Sequence, residues 1–248
     1  MKTSTKTKSH LLSKIAKNSN DSALNKIVAI APIIIILLYT IFLALPITRN
    51  AALWALEENR PVELLSFFFA ILGGVYGLVF AWQLKHHKEG IIALSFYLVF
   101  ALGLLFLGAE EVAWGQWFLG FETPSAIKDI NTQSELTLHN LEVWNDHLEV
   151  FPLIFGISGL IGIAINNIYS FRKIGAPYVL FSWFAIIFVI SAIDLFQDFI
   201  VIQEQFDYLI NYLDEVVEML VAIAGFLYVW LNRKKFSLQW KIRNNKEV

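Results

Sequence analysis

Six long apolar stretches constrain the fold of this chain more than any other feature of its sequence. A helix needs about 20 apolar residues, rising 1.5 Å each, to cross the roughly 30 Å of hydrocarbon in a bilayer. The sequence therefore predicts an all-α, polytopic transmembrane bundle of about six spans. The predicted spans cover about residues 27–47, 62–84, 91–113, 149–169, 177–200 and 212–231.

Composition supports the membrane class and limits the chemistry. Hydrophobic residues make up 57% of the chain and charged residues only 16%, which is too apolar for an ordinary soluble domain of 248 residues. The chain contains no cysteine, so any metal would be held by His, Asp and Glu.

Basic residues predict the orientation of the bundle. If the lysine-rich residues 1–26 are a cytoplasmic tail and an uncleaved signal anchor, every lysine and arginine except Arg49, Arg60 and Lys128 falls on the cytoplasmic side. Both termini are then cytoplasmic, with a second basic tail at 232–248 after a transmembrane domain at 27–231. The pattern favours a multi-pass protein of the bacterial inner membrane.

Acidic residues are segregated in the opposite sense. Of the twenty-one Asp and Glu residues, only Asp21, Glu89 and Glu247 are predicted to be cytoplasmic. Because acidic residues contribute little to topology, this second asymmetry requires its own explanation.

The outer segment 114–148 is predicted to form short interfacial helices. Thr123 and Pro124 are typical of an N-cap and first helical position, which predicts a helix through Ile130. Ser134 is predicted to cap a second, amphipathic helix. Its polar residues recur at helical spacing and form one stripe: Glu135, His139, Glu142, Asp146 and Glu149.

Two interpretations of this stripe remain open. In the first it meets water while the apolar face lies on the bilayer, and in the second it is one wall of a site. The interpretation as one wall of a site is favoured by acids at the outer ends of other spans. Ionisable groups within a membrane usually face the bundle interior and belong to functional sites. These acids are Glu110, Glu111, Asp194, Asp198, Asp214, Glu215 and Glu218.

Two kinds of chemistry suit such a set. Neighbouring carboxylates suit acid–base catalysis, for which the candidates are Glu110, Glu111, His139 and Glu218. Carboxylates with an imidazole also suit a divalent metal. The candidate metal ligands are Glu135, His139, Asp194, Asp198 and Glu215. Their spacing matches no metal motif, so the metal hypothesis is unspecific.

Other chemistries find little support. Gly73, Gly74 and Gly77 are interpreted as close helix packing rather than as a phosphate-binding loop. The sequence has no Walker motif or G-x-S-x-G nucleophile motif. The basic and aromatic C-terminal tail suits anionic lipid, and no nucleic-acid partner is expected.

Part of the outer segment resembles the signature of a group of bacterial polytopic membrane proteins of unassigned function. The similarity lies in EEVAWGQ at 110–116, GFETP at 120–124 and NTQSELTLHN at 131–140. It implies an outer-face site that adds Trp114, Gln116, Gln133 and Asn140 as substrate-binding residues to Glu110, Glu111, Glu135 and His139. The resemblance implies no particular reaction.

Three functions are compatible with these observations. The first is an outward-facing enzyme that acts on a membrane lipid or lipid-linked substrate, by acid–base catalysis or with a divalent metal that bridges a phosphate. The second is a non-catalytic membrane subunit whose outer helix docks a partner. The third is a transporter coupled to protons or cations through Glu218, Asp194 and Glu111.

Overall fold

A computed structural model describes residues 22–57, 59–131, 134–138, 141, 150–197 and 204–247. The regular elements in these ranges are helices, apart from a single bridge that pairs Asn131 with Leu141. The α-helices are α1 (Ser22–Ala44), α2 (Pro46–Leu56), α3 (Pro61–His86), α4 (Ile91–Glu110), α5 (Gln116–Leu119), α6 (Ser125–Lys128), α7 (Val150–Ile165), α8 (Phe181–Gln197) and α9 (Glu204–Glu247). Short 3-10 turns at Ala113–Gly115 and Tyr178–Leu180 lead into α5 and α8.

The helices confirm the prediction of an all-helical chain with membrane-spanning character. Four of those described are long and apolar enough to cross a membrane, at Ala23–Ala44, Pro61–His86, Ile91–Glu110 and Tyr178–Gln197. Helix α7 is apolar but only 16 residues long. Helix α9 contains the sixth predicted stretch within its 44 residues.

Helix α9 is the centre of the bundle. It packs extensively against α3 and α8, and it also contacts α1, α2, α4 and α7. One face of its apolar part is fully buried, with Val216, Leu220, Ala224 and Val229 at 0% exposure. At 1.5 Å per residue α9 is about 66 Å long, which is about twice the roughly 30 Å thickness of a bilayer's hydrocarbon.

Helices α3, α4 and α9 approach closely at glycines, as the sequence predicts. A Cβ placed on Gly73 would lie 2.9 Å from a methyl carbon of Leu104 and 3.1 Å from the Cα of Phe226. A Cβ on Gly77 would lie 2.7 Å from the Cβ of Ala101. The missing side chains therefore allow the backbones of the three helices to meet.

The C-terminal part of α9 continues past the boundary predicted at residue 231. Phe236 and Trp240 are buried in the main core cluster with Phe80, so this segment packs on the bundle. Glu89, in the turn between α3 and α4, accepts hydrogen bonds from the indole of Trp240 at 2.8 Å and from the guanidinium of Arg243. It also forms an ion pair with Lys173 at 3.1 Å.

The outer segment differs from the predicted pair of capped helices. Helix α6 begins at Ser125 and ends at Lys128, and its N-cap is Pro124 rather than Thr123. Residues 134–138 are not helical, and Ser134 has a φ of +58°, so the predicted second helix does not begin there. The rest of that predicted helix, at 139–140 and 142–149, lies outside the described residues.

Helix α2 occupies most of the segment predicted as the first outer loop. Pro46 stands in its first turn, where the missing backbone N–H is not needed. Ala52 and Leu56 are buried against Leu43 of α1 and Val216 of α9. Tertiary packing thus selects a helix in a stretch that is only moderately apolar.

Candidate functional site: an apolar cavity with carboxylates

A cavity of about 560 Å³ lies between α4, α7 and α9. Its walls are mainly apolar, and its polar side chains are three carboxylates. The apolar lining residues are Gly103, Phe106, Leu107, Leu138, Phe151, Pro152, Phe155 and Val221, and the acids are Glu110, Glu111 and Glu218. The exposed rings of Phe106 and Phe151 stand at its edge, so the described residues do not enclose it completely.

The three carboxylates belong to two helices. Glu110 ends α4 and Glu111 caps it, and these two residues are only 5% and 8% exposed. Glu218 lies in the first half of α9, three residues after Glu215 and four after Asp214. These spacings put Asp214, Glu215 and Glu218 on one side of the helix.

The acids lie close enough to interact electrostatically. Glu111 interacts with the carboxyl groups of Glu63, Glu215 and Glu110. Glu218 interacts with Glu215, Glu111, Asp214 and Glu63. Glu110 and Glu111 are buried and the other acids are partly or fully exposed, and at close range each carboxylate disfavours the ionisation of its neighbours.

Glu110 also connects the end of α4 to the loop that follows it. Its Oε1 accepts a hydrogen bond from the indole N–H of Trp114, and its Oε2 accepts one at 2.6 Å from the backbone N–H of Leu138. Leu138 itself lines the cavity. Glu110 thus joins the end of α4 to the loop segment that forms part of the cavity wall.

The turn after α4 makes this contact possible. Ala113, Trp114 and Gly115 all have positive φ values, of 45°, 55° and 88°. Left-handed backbone is uncommon for residues other than glycine, and here it reverses the chain so that the Trp114 indole reaches back to Glu110. The EEVAWGQ motif therefore contains both the turn and the hydrogen bond that the turn allows between Trp114 and Glu110, the first residue of the motif.

Gln116 and Thr123 connect the two halves of the outer segment. The Gln116 side-chain N–H donates to the Thr123 hydroxyl at 2.8 Å, and its Oε1 accepts from the Leu136 N–H at 2.9 Å. The Thr123 hydroxyl in turn donates to the Ser134 carbonyl at 2.8 Å. These bonds explain why Thr123 does not cap α6, because its hydroxyl is used across the loop.

Asn131 organises the remaining described part of this loop. Its amide N–H donates to the Thr137 carbonyl at 2.9 Å, and its Oδ1 accepts from the Glu135 N–H at 3.2 Å. Both Asn131 and Thr137 are buried. Several residues that the resemblance assigns to a substrate site thus have a loop-forming role in this structure.

The structure brings together only some of the residues predicted for the site. Glu110, Glu111 and Glu218 share the cavity, and Glu215 lies within electrostatic range of it. Trp114 and Gln116 form the loop beside it, whereas Asp194 accepts a hydrogen bond from Gln197 at 2.7 Å on α8. Gln133, His139, Asn140 and Asp198 lie outside the described residues.

A metal site does not emerge within the part of the chain that the structure describes. No group of three or more His, Asp or Glu residues there has an arrangement suited to a metal ion. Glu135 contributes its backbone N–H to the loop through Asn131.

Sequence reasoning missed Glu63, in the first turn of α3. It accepts a hydrogen bond from the backbone N–H of Asn59, and its charge acts on both Glu111 and Glu218. A glutamate in the first turn of a helix is usually explained by the helix dipole. The overlooked signal is that Glu63 stands at the same predicted outer level as Glu110 and Glu218.

The fold and the cavity together define an all-helical protein that has four described helices long and apolar enough to cross a membrane and a cavity with carboxylates between its helices. Comparison of the chain with protein-family models, with curated proteins and with solved structures finds no match.

Proposed function

We propose that this protein is a membrane-embedded enzyme that acts on a lipid or lipid-linked substrate by acid–base catalysis. The observation that carries the proposal is the composition of the cavity, which combines apolar walls with Glu110, Glu111 and Glu218. Apolar walls suit an acyl or isoprenoid chain, and the carboxyl groups suit the polar end of the same molecule. An amphiphile satisfies both parts of the lining at once.

In this proposal Glu111 and Glu218 carry the chemistry and Glu110 positions the loop. Two interacting carboxyl groups favour a state in which one holds a proton and the other is ionised, because each anion disfavours ionisation of its neighbour. The ionised group accepts a proton from a substrate hydroxyl or from water, and the protonated group donates to a leaving oxygen. Glu63 and Glu215 lie within electrostatic range of this pair and favour the shared-proton state.

The proposed topology has six spans, with both termini in the cytoplasm and the cavity toward the exterior. It is supported by the segregation of lysine and arginine described above. It is also supported by the place of Glu218 on α9, which is about 22.5 Å along the helix from the charged residues that begin at Arg233. The proposed location is the bacterial inner membrane.

A metal-dependent version of this enzyme requires His139. That residue with Glu135, Glu215, Asp194 or Asp198 is the ligand set that the sequence offers, and a divalent cation there would bridge a substrate phosphate to the acidic face. Metal analysis of purified protein separates the two versions. The metal-dependent version predicts that a stoichiometric cation is present and is lost in His139→Ala.

Lipid turnover tests the proposed function. Purified protein is reconstituted with a bacterial lipid extract, and the lipid species are followed by mass spectrometry over time. We expect wild-type protein to convert at least one species, and Glu111→Gln and Glu218→Gln to lose at least about 100-fold in rate, as expected for a group that transfers a proton.

The matched control is Glu122→Gln, because Glu122 is an exposed acid of the outer segment that does not line the cavity. It should convert the same lipids at the wild-type rate. A wild-type protein that alters no lipid, or glutamine variants with full turnover, would contradict the proposal.

A docking function is the second candidate, and one observation favours it. Trp117, Phe118 and Leu119 are 46%, 57% and 77% exposed in and beside α5. Such a cluster either enters the membrane interface or binds another protein. Substitution of all three by serine should release a co-purifying partner if the protein is a docking subunit. If the protein is the proposed enzyme, the same variant should keep its lipid turnover, because none of the three residues lines the cavity.

The packing below the cavity favours an enzyme over a transporter. Tyr228 of α9 stacks on Tyr97 of α4, and its hydroxyl donates to the Ile174 carbonyl at 2.5 Å. Phe80, Tyr97 and Tyr228 are buried in the main core cluster between the cavity and the opposite end of the bundle. A transport path through this region would require these rings to move.

A further inference from the structure

A second, polar cavity of about 490 Å³ lies at the other end of the bundle. It is formed where α7 ends, where the chain enters α8 and where α9 extends beyond its apolar part. Lys235 is about 26 Å from Glu218 along α9, so the two cavities are well separated. The residues that line the polar cavity are Asn166, Asn167, Arg172, Pro177, Tyr178 and Lys235.

The lining carries two cations and several neutral hydrogen-bonding groups. The Lys235 ammonium donates to the Arg172 carbonyl at 3.0 Å, and the Asn167 amide donates to the Tyr178 hydroxyl at 2.6 Å. Burial and the neighbouring charge of Arg172 lower the pKa of Lys235 from its ordinary value. The two positive charges are therefore close enough to oppose each other.

No carboxylate in the described part of the chain balances these charges. The ion pairs described there involve Arg60 with Glu57, and Lys173 and Arg243 with Glu89. Arg172 and Lys235 take part in none of them. Two adjacent cations in a polar cavity with neutral donors are the arrangement that an anion with several oxygen atoms would complete.

The surroundings of the cavity indicate where such an anion comes from. Ile168, Tyr169 and Phe171, in the turn beside Arg172, are 50%, 92% and 45% exposed. Exposed aromatic and aliphatic side chains next to cations are typical of a membrane–water interface. A phosphate attached to acyl chains matches this combination better than a free ion does.

We propose that this cavity binds the phosphate of an anionic lipid headgroup through Arg172 and Lys235. Asn166, Asn167 and Tyr178 complete the site with neutral hydrogen-bonding groups. The site is distinct from the carboxylate cavity, and it does not depend on the proposed catalytic function.

Lipid retention tests this proposal directly. The full-length protein is reconstituted into nanodiscs that contain phosphatidylcholine and phosphatidylglycerol, and the lipids retained after transfer to detergent are measured by native mass spectrometry. We expect wild-type protein to retain phosphatidylglycerol preferentially. Each of Arg172→Gln and Lys235→Gln should lower that preference about fivefold.

The matched control is Lys241→Gln, because Lys241 is an exposed cation on the same helix that does not line the cavity. It should keep the wild-type preference. Arg172→Gln is the safer of the two test variants, since Arg172 is exposed and its guanidinium makes none of the described hydrogen bonds.

Two outcomes overturn the proposal. Equal retention of both lipids by wild-type protein excludes a headgroup site. Thermal protection by inorganic phosphate alone, without preference between the lipids, assigns the cations to a free anion instead. Preferential retention that survives in Lys241→Gln and is lost in the two test variants supports the lipid headgroup as ligand.

Discussion

Single residues of the EEVAWGQ motif have separable roles in this structure. Glu110 and Trp114 hold the outer loop through the indole hydrogen bond, whereas Glu111 lies among the interacting acids of the cavity. The sequence suggests that both glutamates of the motif belong to one site. In the structure Glu110 anchors the loop, and Glu111 is the candidate reactive group.

Trp114→Phe tests the anchoring role of the indole. The variant keeps an aromatic ring but removes the N–H that Glu110 accepts, and we expect it to lower the free energy of unfolding by about 1.5 kcal/mol, as for a hydrogen bond to a charged group. The measurement is denaturant unfolding in detergent followed by tryptophan fluorescence and circular dichroism.

Trp117→Phe is the matched control for this experiment. Trp114 and Trp117 are both 46% exposed, and the described hydrogen bonds include one for the Trp114 indole and none for that of Trp117. An equal loss of stability in the two variants would show that the hydrogen bond to Glu110 has no special role.

At the scale of elements, the apolar runs predict the helices well and the polar loop poorly. A run such as 91–113 specifies a spanning helix because the bilayer leaves its backbone no other hydrogen-bonding partner, and α4 indeed covers Ile91–Glu110. The segment from Gln116 to Leu138 is held by side-chain hydrogen bonds between distant positions. Local propensity at Thr123 or Ser134 cannot anticipate such bonds.

The candidate site was predictable in part for the same reason. Glu218 stands out because a charged group within an apolar stretch is unusual, and it does line the cavity. Glu63 carries no such signal, since it is an acid in the first turn of α3. Only the packing of α3 on α9 brings Glu63 within range of Glu218.

Close packing of α3 on α4 gives a test of the helix interface. Gly77→Ala would place a methyl group 2.7 Å from the Cβ of Ala101, and we expect it to destabilise the protein by about 2 kcal/mol through overpacking. Gly103→Ala is the control, because a Cβ there meets nothing within 4 Å. Thermal unfolding in detergent compares the two variants, and equal midpoints would contradict the packing described.

The end of α9 gives a prediction about pH. Burial acts to raise the pKa of Glu89, but hydrogen bonds from Trp240, Arg243 and Lys173 outweigh it and hold the pKa below its ordinary value of 4.5. A carboxyl whose pKa is lowered by folding stabilises the protein above its unfolded pKa, and that stabilisation disappears as pH falls through the folded value.

Wild-type protein should therefore be more stable than Glu89→Gln at neutral pH, by about 2 kcal/mol for a buried carboxylate whose partners are half-exposed. The difference between the two proteins should shrink below about pH 4. Unfolding midpoints measured from pH 7 to pH 3 provide the check. A difference that is constant across this range would contradict the account of Glu89.

At the scale of the whole molecule, the absence of native cysteine makes the proposed topology testable. Lys128→Cys should react in intact cells with a thiol reagent that cannot cross the inner membrane, because residue 128 belongs to the proposed outer segment. Ser170→Cys should react only after permeabilisation, because it lies in a proposed cytoplasmic connection. The reverse labelling pattern would show that the orientation of the bundle is opposite to the proposed one.

The two cavities give the molecule a polarity that the net charge of −2 conceals. Carboxylates line the first cavity and cations line the second, about 26 Å apart along α9. One long central helix thus contributes Glu218 to one cavity and Lys235 to the other.

The most direct test of the central claim asks whether the carboxylate cavity holds an amphiphile. Gly103 lines that cavity, and a side chain placed there meets open space, so Gly103→Trp should fill the cavity while Gly103→Ala leaves room. Native mass spectrometry after exhaustive detergent exchange measures the lipid that remains bound. We predict that wild-type protein and Gly103→Ala retain a lipid that Gly103→Trp has lost, and equal retention by all three would contradict the account.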